Sequence, residues 1–233
     1  MGLKIRAIIC VIALAAPFIA CDGIVGVHKN DSESLNIQKT PADSQNLILD
    51  DSKFPYIGLP RLVIETDDIR NIEDRETKIH ARMQVYGKNG PESDIVRLDI
   101  RGRGNYTWGL PKKPFNIYLD KKESLLGLAP AKKFALLANY LDRTLIRNAV
   151  AFELAHKTDL EWTPSGKFVE VFLNQKFMGN YYLSEKIGFG ESRLNKSDEA
   201  FLLEYDKNYD EEYKFMTGLK DLPVNIKKPE NPT

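Results

Sequence analysis

Arg101-Gly102-Arg103-Gly104 sets two guanidinium groups beside two residues that carry no side chain. Glycine lets backbone N–H groups close on an anion, and arginine offers a planar fork matched to phosphate oxygens. The spacing fits neither the dinucleotide turn G-x-G-x-x-G nor the P-loop, which needs Gly-Lys-Ser/Thr running into a helix. Here Lys112-Lys113-Pro114 and an alternating apolar run follow instead. On residue types alone the stretch is either a phosphate cradle or a basic corner between two strands. Lys113 falls by period-two parity on the apolar face of the run Phe115 to Leu119. An amine held there calls for an anionic partner, a carboxylate or a ligand phosphate, and the competing reading is a solvated Lys-Lys corner. Glu204, Asp206, Asp210, Glu211 and Glu212 form an acidic run that either clamps a divalent cation or lies as a solvated loop. His28, His80 and His156 have no ligand spacing, and no G-x-S-x-G or H-E-x-x-H occurs.

The elements that must position these groups are mostly short strands. "RLVIET" and "KIHARMQVYG" alternate in the period of two and lead into the turn Lys88-Asn89-Gly90-Pro91. "DIVRLDIRGR" points Val96, Leu98 and Ile100 one way, and Arg97, Asp99, Arg101 and Arg103 the other. "PFNIYLD" follows, then "FVEVFLN" and "MGNYYLSEKI" as a hairpin about Asn174-Gln175-Lys176, and "AFLLEYD" as a last short strand. One segment, "DRTLIRNAVAFELAHK", has helical period. Leu145, Ala149 and Phe152, with Ile146, Val150 and Leu154 beside them, predict a wide apolar stripe on a sheet, and Asp142 is its expected N-cap. Many strands and one packed helix predict an α+β fold.

The start of the chain has a different composition. Lys4 and Arg6 precede an apolar run from Ala7 to Ala20, too short to span a bilayer and typical of a secretory signal. Phe18-Ile19-Ala20-Cys21 resembles a bacterial lipobox, with Phe where Leu is usual. It predicts removal of residues 1–20 and acylation of Cys21, and the competing reading is a plain signal peptide cut elsewhere. Residues 21–53, rich in Ser, Asn, Asp, Gln and Lys, read as a disordered tether, and the folded domain is expected to span residues 54–233. The predicted location is the bacterial cell envelope, on the outer membrane or cell surface, with the membrane engaged through the lipid. Over 233 residues, Lys+Arg 33 balance Asp+Glu 33, which argues against a protein built to coat nucleic acid and permits a local basic site.

Taken in order, "DIRGRGNYTWGLPKKPFNIYLD", "ANYLDRTLIRNAVAFELA", "FVEVFLNQKFMGNYYLSEKI", "LLEYD" and "PVNIKKPE" strongly resemble the CotH (spore-coat protein H) kinase family from about Leu62 onward. The resemblance implies a β-rich, kinase-like N-terminal lobe, ATP with Mg²⁺ or Mn²⁺ as cofactors, and phosphorylation of protein seryl or threonyl groups outside the cytoplasm. It would set Arg101, Gly102, Arg103 and Gly104 near the nucleotide phosphates, give Lys113 the role of the phosphate-pairing strand lysine, and put Glu185 near the lobe connection. Family members continue past "NIKKPE" into a second lobe with catalytic and metal-holding aspartates. No such motif occurs before Thr233, so the expectation is a partial domain in which ATP binding outlives phosphate transfer. The alternative from another class is a non-catalytic surface lipoprotein that binds a partner protein or a glycan.

Overall fold

A computed structural model of the chain describes residues 8–9, 45–195, 200–209, 211–218 and 220–229. Cys21 lies outside the described residues, as does the predicted signal apart from Ile8–Ile9. In chain order the strands are β1 (Ile8–Ile9), β2 (Arg61–Thr66), β3 (Ile79–Gly87), β4 (Gly90–Pro91), β5 (Val96–Gly102) and β6 (Phe115–Glu123). They continue with β7 (Ala131–Leu137), β8 (Gly166–Leu173), β9 (Lys176–Glu185), β10 (Leu202–Tyr205), β11 (Lys214–Met216) and β12 (Pro223–Lys228). The single α-helix among the described residues is α1 (Arg147–Ala155). The fold is therefore β-rich α+β with one helix, as the alternation and the helical period predict.

Two compact units share the chain, residues 25–186 and residues 1–24 with 187–233. In the first, β2-β8-β9-β7-β6-β5-β3 forms a sheet whose end strands β2 and β3 also pair, so it closes on itself. Every pairing in the ring is antiparallel except β2 with β8. Closure removes the open edges that an eight-stranded sheet would otherwise expose. Alternate residues fill the interior: Leu62 and Ile64, Leu98 and Ile100, Phe115 and Ile117, Phe134 and Leu136, Val169 and Val171, Tyr181 and Leu183. Asn174 and Gln175 both have positive φ and make the tight β8–β9 turn. The second unit is built on β10, β12 and β11, antiparallel in that order, with β1 parallel to β10.

Packing begins earlier than Phe54, where composition places the start of the domain. Leu47 is 3% exposed and clusters with Val63, Tyr86 and Phe172 on the outside of the barrel. Its amide donates to Gln84 Oε1 at 2.9 Å, and its carbonyl accepts the Tyr86 hydroxyl. Asp51 pairs with the guanidinium of Arg61, which is fully buried and also donates to the Gly87 carbonyl. Residues 46–54 thus form a strap over β2, β3 and β8, because Leu47, Leu49 and Phe54 recur in a stretch whose average polarity hides them.

The helix also differs from its prediction. Leu145 has φ +62°, which interrupts helical geometry just before α1 and puts the Leu145 series out of register. Only Phe152 of α1 is buried, against Tyr182 at 6.0 Å, while Ile146, Val150 and Leu154 are exposed. Asp142 does cap, at a distance. Its carboxylate accepts the Thr144 amide and hydroxyl and, at 2.8 Å, the amide of Arg147, the first residue of α1.

Candidate phosphate-binding face

Register determines which side of the barrel each candidate occupies. Arg101 pairs with Asn116, Asn116 with Ala135, and Ala135 with Ser184, all on the outward side of β5, β6, β7 and β9. One step along, Asp99 pairs with Tyr118 and Tyr118 with Lys133. Tyr118 is the centre of the cluster. Its ring is approached by Lys78 Nζ at 4.5 Å, the Arg101 guanidinium at 5.5 Å and Lys186 Nζ at 5.8 Å. Arg101 Nε donates to the Tyr118 hydroxyl at 3.0 Å, and Lys186 Nζ donates to Asn116 Oδ1 at 3.2 Å. A ring face is the negative end of the aromatic quadrupole, so it gathers cations without neutralising them. Asp99 offsets part of the charge, with His80 Nδ1 at 2.6 Å and Lys78 at 3.7 Å. Three cations around one half-buried phenol are a fit for an anion with several oxygens.

The other predicted residues lie away from this ring. Gly102 is buried beneath Trp108. A Cβ there would stand 2.5 Å from the indole and 2.6 Å from the Asp74 carbonyl oxygen, which accepts the Gly102 amide. Gly104 has φ +80° and turns the chain toward Thr107, and its carbonyl accepts a bond from Arg75. The Asp74 carboxylate, held below its usual range chiefly by the Thr77 amide and then by the Thr77 hydroxyl, fixes the loop that carries Arg75. Arg103 is half-buried, with a buried Nε that has no hydrogen-bond partner among the described residues.

Lys113 precedes β6 rather than lying in it, so parity does not apply. Its amine donates to the Trp108 carbonyl and sits 5.0 Å from the Trp108 ring, and its own carbonyl accepts the Tyr181 hydroxyl at 2.7 Å. Within the chain its amine is therefore neighboured by a backbone carbonyl and an indole. Its neighbour Lys112 is more deeply engaged, donating to the Asn180 carbonyl 4.5 Å over the Tyr181 ring, and burial lowers its pKa. Glu185 is buried and accepts the Ser165 amide at 2.8 Å. Its strand partner is Phe134, and no ion pair joins it to Lys113. Gly102 and Lys113 therefore meet at Trp108, Gly104 lies against the adjacent Thr107, and Arg101 is turned outward to Tyr118, while Glu185 caps a separate loop.

Lys78, Tyr118 and Lys186 are absent from the motif reading of the sequence. Their signal was available only as outward parity shared with Arg101, and Lys78 and Lys186 flank strands rather than lie in them. The acidic run binds a lysine: Lys227 Nζ pairs with Glu211 and lies 3.7 Å from Glu204, and Asp206 accepts the Asn208 amide. Asp210 lies outside the described residues. Among the described residues no group of three His, Cys, Asp or Glu side chains is arranged to hold a metal ion.

A family model described as "CotH kinase protein" matches residues 100–231. The matched segment takes in Arg101, Tyr118 and Lys186 and leaves Lys78 outside. No curated protein matches the chain.

Proposed function

The chain belongs to the CotH kinase family, and from that premise we propose that its barrel is a nucleotide-binding unit that holds ATP phosphates on the outward face around Tyr118. The observation that carries this reading is the approach of Lys78, Arg101 and Lys186 to one ring. Kinase chemistry consists largely of positioning and neutralising phosphates, and these side chains supply that share. Arg101 offers a fork to two oxygens, the two lysines act as point charges, and the Tyr118 hydroxyl and Asn116 orient them. A divalent cation is a different matter. Among the described residues no group of three His, Cys, Asp or Glu side chains is arranged to hold it, so in this reading the share of the chemistry that the barrel supplies is the binding of the nucleotide phosphates.

ATP that binds the native state raises the melting temperature. The expected result is a shift with the wild-type chain that is lost in Arg101→Ala and Lys186→Ala and retained in Lys113→Met. A shift that survives both of the first two substitutions overturns the assignment. The lipobox-like Phe18-Ile19-Ala20-Cys21 supports, in the same reading, a lipid anchor in the bacterial cell envelope. Cys21→Ala should then abolish incorporation of a clickable palmitate and release the protein from membranes. A second reading, a non-catalytic lipoprotein that binds a partner, draws on exposed Ile146, just before α1, and on exposed Val150 and Leu154 within it. It is the reading left standing if ATP produces no shift at all.

A further inference from the structure

His80 of β3 stands directly opposite Asp99 of β5, and Asp99 directly opposite Tyr118 of β6. That rung sets His80 two strand spacings, about 10 Å, from Tyr118. Lys78 joins the two ends, with Nζ 3.7 Å from Asp99 Oδ2 and 4.5 Å over the Tyr118 ring. The pair is lopsided in exposure: Asp99 Oδ1 is buried, whereas the His80 side chain is 81% exposed. An ion pair so open to water adds little to stability, but its geometry fixes the ring. His80 Nδ1 lies 2.6 Å from Asp99 Oδ1, too close for two lone pairs, so Nδ1 carries a proton. In the neutral imidazole the lone pair is then on Nε2, which has no partner among the described residues. The other described histidine, His156, has its Nε2 3.2 Å from the Ser165 hydroxyl.

We propose that His80 is a phosphoryl acceptor through Nε2, with a nucleoside triphosphate held beside Lys78 as the donor. The identity of the donor rests on the nucleotide reading above, and the nucleophile does not. The Nε2 lone pair forms a bond to the γ-phosphorus while the bond from that phosphorus to the β–γ bridging oxygen breaks, and the nucleoside diphosphate leaves with the electron pair. The ring gains positive charge in this step. The Asp99 carboxylate, keeping its place at Nδ1, offsets that charge and holds the ring in the tautomer that can attack. Asp99 is thus a positioning residue, and the product is a phosphohistidine on the outer wall of the barrel.

The test incubates the full chain with γ-radiolabelled ATP and Mg²⁺ and, separately, with phosphoramidate, which phosphorylates imidazoles without needing a nucleotide site. Label should be lost in acid, survive alkali and map to His80 by mass spectrometry. His80→Gln should abolish it and His156→Gln should leave it. Asp99→Asn should slow labelling from both donors at least tenfold in a chain that still melts as the wild type does. Nitrogen NMR should show the neutral His80 ring protonated at Nδ1 in the wild type, with that preference lost in Asp99→Asn. A proton on Nε2 instead, or phosphoramidate labelling of His80 no faster than of His156, overturns the inference. Absence of ATP-derived label from a chain that shows the ATP melting shift also overturns it and leaves the nucleotide reading intact. If ATP gives neither label nor shift while phosphoramidate labels His80 in an Asp99-dependent way, the nucleotide reading falls and the acceptor histidine stands, with another donor.

Discussion

An added methyl at Gly102 would come 2.5 Å from the Trp108 indole and 2.6 Å from the Asp74 carbonyl oxygen, distances that real Cβ atoms do not reach without moving a neighbour. Gly102→Ala should therefore destabilise the barrel by about 1–3 kcal/mol, read from the denaturant midpoint, through overpacking rather than through any ligand. At Gly104 the obstacle is φ +80°, and Gly104→Ala should cost at least about 1 kcal/mol by the same measurement. Lys113→Met should lower stability by loosening the Trp108 loop, with the ATP shift intact. These outcomes separate the glycines, which serve the loop, from Arg101, which serves the face. Residue types at positions 101–104 could not say which of the four faces outward. That answer depends on Trp108 folding back onto Gly102 and on the register of β5 with β6.

Among the elements, α1 depends on a carboxylate five residues before its first turn. Asp142→Ala should remove the acceptor for the Thr144 and Arg147 amides and cost about 0.5–2 kcal/mol, with fraying of α1 visible by amide exchange. Burial by itself would raise the Asp142 pKa, but hydrogen bonds from Thr144 and Arg147 and the Arg147 charge outweigh it, and the net shift is downward. The sign follows directly. An acid with a lowered folded-state pKa contributes fully above its unfolded pKa of about 4, and that contribution disappears as pH falls through the folded value. The stability difference between wild type and Asp142→Ala should accordingly shrink on acidification through and below that range. Most strands were legible from period-two alternation. β7 was not, because Lys132 and Lys133 sit side by side at a register irregularity between β6 and β7 and break the alternation. The helix was legible in type but not in packing. Its stripe is real as a pattern, and Leu145 at positive φ disconnects it from the turn that would have seated it.

For the molecule as a whole, the strap of residues 46–54 is part of the barrel's packing. A chain starting at residue 45 keeps it. One starting at Phe54 should be less stable by at least about 3 kcal/mol, since it uncovers Val63, Tyr86 and Phe172 and removes the Asp51 partner of buried Arg61. Denaturant unfolding of the two chains checks this. Composition missed the strap because Leu47, Leu49 and Phe54 are three apolar residues diluted among polar ones. Only the cluster they join shows their purpose. The ring closes through β2 and β8, the one parallel pairing, and the Thr66 amide bonds to Asn174 Oδ1 across a sequence separation of 108. During folding, β2 can pair with β3 early, but its other edge stays open until β8 docks from far along the chain. Until then the chain carries an unpaired strand edge of the kind that holdase chaperones recognise. Refolding from denaturant should reflect the same ordering, with slow recovery governed by the β2–β8 seam: Asn174→Ala should slow stopped-flow refolding if the seam forms in the transition state, and should chiefly speed unfolding if the seam is sealed last.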